Sequence, residues 1–244
     1  MASKRYLGHH NDAANGNEII RSEQDIAYVL GLIDLTRAMY VSRGTREDDT
    51  YIEAIRSATS RVYQLEAIAH AGRAALSTGF IAGRARVETV RNIHRSFALA
   101  YALNGRLATA AAIQCSFDNN DWVQALQLHS SARIYYSRAF GEFTKAHDRV
   151  QAADVASLAA RNEALRADAW EQCGHPFRAE ATVWSKNTWL ARCAGALAMT
   201  EAADLFTNGH EHAKALDLIL MRDVPGMDIA NPALAAVTSA ALNP

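Results

Sequence analysis

The chain has 244 residues, half of them hydrophobic, with only 4 Pro and 13 Gly; it can bury a real core, and it has too few interruptions for a turn-rich β-fold. Its formal net charge of −1 conceals unlike regions: residues 56–106 carry eight Arg against Glu66 and Glu88, a balance of +6, while residues 1–55 and 107–244 stand at −3 and −4. Three widely spaced cysteines, Cys115, Cys173 and Cys193, argue against a disulfide framework and read as buried free thiols in a reducing compartment.

In chain order, residues 1–17 are rich in Asn, Gly and His and poor in apolar groups; they read as an irregular, flexible N-terminal arm. No apolar h-region of a signal peptide occurs there, and no apolar run approaches the ~20 residues of a membrane span. The expectation is a soluble protein, cytoplasmic or otherwise intracellular. From residue 18 to 244 we expect a single all-α domain. Ser22, Glu23 and Asp25 mark a helix start, and Ile26, Val29, Leu30, Ile33, Leu35 and Met39 follow at near-helical spacing. The predicted helices are 20–41, 48–77, 86–104, 107–117, 121–139, 142–159, 161–173, 177–207 and 211–222. Asp118-Asn119-Asn120-Asp121 is a strong turn and N-cap signal, and an Ala-rich helix over 232–242 is placed to cap the end of the chain.

Glycines at 72, 105, 141, 174 and 209 are separated by 33, 36, 33 and 35 residues. Gly favours the left-handed turn that ends a helix, so this spacing predicts one turn per repeat unit. Ala110, Ala146 and Ala179 stand five residues after three of these glycines, as small residues at a seam between antiparallel helices. The segments SFALAYALNGRLATA (96–110) and ALRADAWEQCGHPFRAEATV (164–183), with weaker copies at 137–146 and 201–216, resemble the tetratricopeptide repeat. Arg166 stands at a normally apolar position of that pattern, and the repeat-ending proline is missing throughout. Over about 90–222 the resemblance implies stacked antiparallel helical hairpins, an α-solenoid with a concave face that binds partners rather than performing catalysis.

Candidate chemistry is sparse. His210-Glu211-His212 has spacing that points its imidazoles to different helix faces. Cys173-Gly174-His175 supplies half of a zinc site. Glu66 and His70 are one residue too far apart for the Glu-x-x-His of a di-metal bundle. We therefore expect no metal, no cofactor and no catalytic residue. Arg84, Arg91 and Arg95 fall on one helical face with Arg86 and His94 nearby, and form a candidate partner- or anion-binding stripe. Its uses are an internally salt-bridged face, an anionic protein partner, or nucleic acid. Tyr135, Tyr136, Trp184 and Trp189 read as core between hairpins. The functional expectation is a non-enzymatic protein-interaction or assembly module, binding a protein partner or its own copies. The alternative is a nucleic-acid-binding coat or nucleoprotein-type structural protein using the 56–106 arginine block.

Overall fold

The computed structural model of the chain describes residues 2–41, 49–118 and 120–204. Its regular structure there is entirely helical: α1 (Ala2–Val41), α2 (Asp49–Ser77), α3 (Gly83–Asp118), α4 (Trp122–Lys145), α5 (Arg149–Gln172) and α6 (Pro176–Asp204). Among the described residues there is no strand, as the composition predicts, and no helix is long and apolar enough to cross a membrane. Contacts divide the chain into two compact units, Met1–Asp148 and Arg149–Pro244.

The first unit is organised around α3, which packs against α1, α2 and α4. Each partner brings a buried row at three- and four-residue spacing, the signature of one helix face. On α1 it is Gln24, Ala27, Tyr28, Gly31, Leu35 and Ala38; on α2, Ala54, Ala58, Val62, Leu65 and Ala69; on α4, Ala125, His129, Ala132, Tyr136, Ala139 and Phe143. Against them α3 sets Ile93, Phe97, Leu99 and Leu103. The approach is close because three glycines lie at the crossings. A Cβ on Gly31 would fall 2.5 Å from Leu103, on Gly72 2.8 Å from Ile93, and on Gly105 2.6 Å from the Tyr136 ring.

In the second unit α5 packs on α6. The buried positions of α5 are mostly alanine (Ala152, Ala153, Ala156, Ala159, Ala160, Ala167, Ala169). They face a buried α6 row of Ala179, Thr182, Trp189, Cys193 and Leu197. Burial, with the negative Asp154 nearby, pushes the Cys193 thiol up to about 11. It is therefore a neutral core side chain rather than a thiolate.

Several expectations are corrected. Residues 2–17 lie within α1; Gly and Asn lower helix propensity there, and no proline stops the helix. The turns expected at Gly72, Gly105 and Gly141 are absent, because all three glycines lie inside helices. Gly72 and Gly105 serve close packing instead; nothing in the structure accounts for Gly141, where an added Cβ would meet nothing within 4 Å. The breaks expected near 105, 141 and 160 accordingly vanish into α3, α4 and α5. Gly174 does turn the chain, at φ +77°, and Asp121 does cap α4, its carboxylate accepting from the Gln124 amide at 2.9 Å. Ala146 and Ala179 are buried as expected, whereas Ala110 is half-buried. The features read at Gly209, 211–222 and 232–242 lie outside the described residues.

One turn escaped the sequence reading. After α4 the His147 amide donates to the Thr144 carbonyl and the Asp148 amide to that of Phe143. This is the paired i→i−3 and i→i−5 closure that ends helices on a left-handed residue. His147 holds that conformation at φ +58°, a place usually given to glycine.

Candidate functional site

The arginines singled out by sequence all lie on α3, but the structure does not present them as one basic stripe. Arg84 and Arg86 are exposed. Arg91 is bonded to Glu88 one turn back on the same helix, at 3.0 Å. Arg95 is turned inward, its side chain only 12% exposed. Its Nη2 donates to Asp25 at 2.6 Å, its Nη1 to Gln24 at 3.0 Å and its Nε to Asp148 at 3.2 Å. One guanidinium thus ties α1, α3 and the chain just beyond α4. The fork suits the task, since it carries several donors in fixed directions.

Gln24 is the centre of this clamp and was not foreseen. It is fully buried, and its Nε2 donates to the Asn92 carbonyl at 2.9 Å and to Ser96 Oγ at 2.7 Å. Asn92 Nδ2 in turn donates to Asn17 Oδ1 at 3.1 Å. The available signal was a single polar residue in the otherwise apolar row of α1. The His147 turn completes the arrangement by delivering Asp148 to Arg95.

Beside the clamp, Asn17, Glu18 and Arg21 of α1 and Arg84, Ala85, Glu88 and Asn92 of α3 line an open cleft of about 490 Å³. Its charges are mixed, so it does not concentrate a field of one sign. Further arginines of the block also meet their own chain: Arg73 lies over the Phe97 ring at 4.4 Å, and Arg61 donates to Gln64 at 3.1 Å. On the neighbouring face, Glu142 accepts from Lys145 at 2.6 Å and contacts His94 at 2.7 Å. Burial would raise the Glu142 pKa, but the Lys145 and His94 hydrogen bonds outweigh it, and the carboxyl is held below its ordinary value. In the second unit Asp168 moves the other way. Partial burial and the nearby Glu171 raise it, against an opposing Lys186.

The residues considered for metals pack as aromatics: His70 meets Phe97 edge-on at 5.4 Å, and His175 meets Trp170 at 5.6 Å. Among the described residues no three His, Cys, Asp or Glu converge on one point. His210, Glu211 and His212 lie outside those residues.

Two helices carry a second, outward face. On α6, Phe177, Ala181, Trp184, Thr188, Ala191 and Gly195 are all exposed. At 3.6 residues per turn they fall in one line, opposite the buried row. Phe177 is 86% exposed and Trp184 70%. Trp184 therefore does not belong to the core where the sequence placed it, unlike the buried Tyr136 and Trp189; Tyr135 is half-buried. On α1, Ile19, Ile26, Val29, Leu30 and Ile33 are exposed, on the side roughly 150° away from its buried row.

Comparison of the chain with family models, with curated proteins and with solved structures returns no match.

Proposed function

We propose that this chain is a non-enzymatic protein-interaction or assembly module. The observation that carries the proposal is the outward row of α6. Aromatic side chains supply much of the energy of protein interfaces when they enter a partner's pocket. Here Phe177 and Trp184, one heptad apart, stand almost wholly in water, with Ala181, Ala191 and Gly195 between and beyond them to admit a partner's backbone closely. Solitary exposed apolar residues are ordinary, but an aligned aromatic pair on one helix face is a patch. The proposal includes stacking of helices as antiparallel hairpins of the tetratricopeptide-like kind. Its support is that α3 and α4, and α5 and α6, pack together across links of three residues each.

The nucleic-acid alternative draws less support. Arg95 is committed to the clamp and Arg91 to Glu88, which leaves Arg84 and Arg86 without a continuous stripe. The assay for it is a salt-dependent mobility shift of single-stranded RNA or DNA, using Arg84→Ala/Arg86→Ala so that the clamp stays intact.

The proposed function is tested by affinity capture from the native source. Wild-type chain should retain a stoichiometric protein that Phe177→Ser/Trp184→Ser loses by about tenfold or more, with unchanged far-UV circular dichroism. Equal retention by the variant, or no retained protein, overturns it.

A further inference from the structure

The outward face of α1 belongs to the other unit and does not depend on the α6 row. A helix of a monomer normally buries one apolar stripe and wets the rest. α1 has two. Gln24, Ala27, Tyr28, Gly31, Leu35 and Ala38 are spent on the core, while Ile26 at 59%, Val29 at 51%, Leu30 at 36% and Ile33 at 55% exposure look outward. The outward residues are also the larger and more branched, which is the reverse of what water selects. They form an apolar strip of about two turns, on the order of a few hundred Å², the size that marks an association surface; Ile19 lies beyond it, past Ser22 and Glu23.

Charges bordering the strip specify its occupant. Glu23 lies one turn before Ile26, and Arg37 one turn after Ile33; both are exposed and both lie on the same face as the strip. Laid against a second α1 in the same direction and register, Glu23 meets Glu23 and Arg37 meets Arg37. Laid against it in the opposite direction, with a two-fold axis at Leu30, every position i faces position 60 − i. Glu23 then meets Arg37 of the other copy at both ends. Ile26 then lies one residue away from Ile33 of the other copy, and Leu30 meets Leu30. The ionic positions pair directly and the apolar ones to within one residue, which is the self-complementarity that a two-fold interface requires. Flanking charges of this kind set helix orientation.

We infer that the chain forms a two-fold dimer through antiparallel pairing of α1, with Ile26, Leu30 and Ile33 as its apolar seam and reciprocal Glu23–Arg37 ion pairs at its ends.

The full chain, 26.6 kDa, should show twice that mass by sedimentation equilibrium or light scattering, with a concentration-dependent return to monomer. Ile26→Asp/Ile33→Asp removes four apolar seam residues from the dimer and should weaken it by about a hundredfold or more. Because both sites are exposed, helix content by circular dichroism should be unchanged. Glu23→Arg and Arg37→Glu should each weaken association by about tenfold, and Glu23→Arg/Arg37→Glu should restore it, since swapping both restores each cross-pair. Phe177→Ser/Trp184→Ser should leave the dimer intact, and the α1 variants should leave capture through α6 intact. A chain monomeric at high micromolar concentration overturns the inference, as does a dimer indifferent to Ile26→Asp/Ile33→Asp. A double charge swap no tighter than the single ones overturns the antiparallel pairing.

Discussion

The two units solve the same packing problem with different materials. Around α3, three helices approach through Gly31, Gly72 and Gly105, and a buried polar clamp built on Gln24 and Arg95 crosses from one helix to another. In the second unit a row of alanines on α5 provides the close surface, and its buried Glu163 is met at 2.7 Å by Arg166 on the same helix. The helix terminators differ in the same spirit. α4 and α5 end with the same pair of backbone bonds, but the left-handed position is filled by His147 in one and Gly174 in the other. Apolar contacts tolerate small slides between helices. Directional hydrogen bonds do not, so the clamp gives the first unit a register that shape alone fixes less sharply.

The sharpest way to break that contrast is to remove the clamp's guanidinium. Arg95→Ala leaves the fully buried Gln24 without its guanidinium donor, and Asp148 without its bond to Arg95. It should cost about 3 kcal/mol in chemical denaturation, confined to the transition of the first unit. Arg95→Lys should rescue little, because one ammonium cannot replace a fork aimed at three acceptors. A cost below about 1 kcal/mol would mean that Arg95 contributes no more than a surface ion pair, and the clamp would lose its role.

The glycine contacts form the second test. In an exposed helix interior Gly→Ala gains about 0.5–1 kcal/mol. Gly141→Ala, with open space around it, should show that gain. Gly105→Ala should show the opposite sign, a loss of about 1–3 kcal/mol, because its Cβ would stand 2.6 Å from the ring of a Tyr136 that is itself 1% exposed. Thermal melts of the pair would expose any error, since a stabilising Gly105→Ala is incompatible with the crossing described.

Helix content was legible because Ala, Leu and Arg dominate and Pro is nearly absent, and the turns at Asp121 and Gly174 carried ordinary capping chemistry. Of the evenly spaced glycines, Gly72 and Gly105 sit at helix crossings and Gly174 at a turn. Glycine serves both left-handed turns and close helix crossings, and one chain offers no local means of telling Gly105 from Gly174; the difference lies in Tyr136, 31 residues away. The turn at His147 was invisible for the complementary reason, since no glycine marks it. Of the arginine site, the residues were found but not their partners. Arg95 reads as a surface cation until Gln24 and Asp25 of α1 and Asp148 beyond α4 are brought to it. The exposed row of α1 was legible as apolar periodicity, but periodicity does not say which of two faces the core takes; of the α6 row only Trp184 was singled out, and as core.

The smallest expected effect separates the units by pH. Glu142, in the first unit, has its pKa held below the ordinary 4.5. Such a group contributes stability that is fully present above the unfolded value and is lost as pH falls through the folded one. Asp168, in the second, is raised above its ordinary 3.8. Its protonated form is the better accommodated, so it is no handicap below that value and becomes one as pH rises through the raised pKa. Glu142→Gln should therefore lower the melting temperature at pH 7, with the deficit narrowing below about pH 4.5. Asp168→Asn should raise it at pH 7, with the gain fading toward about pH 3.8. Asp168 is exposed and Glu142 only partly buried, so each shift is small; the informative quantity is the sign. Two shifts of the same sign at pH 7 would show that burial governs both carboxyls alike, and that Lys145 and His94 do not set Glu142 apart.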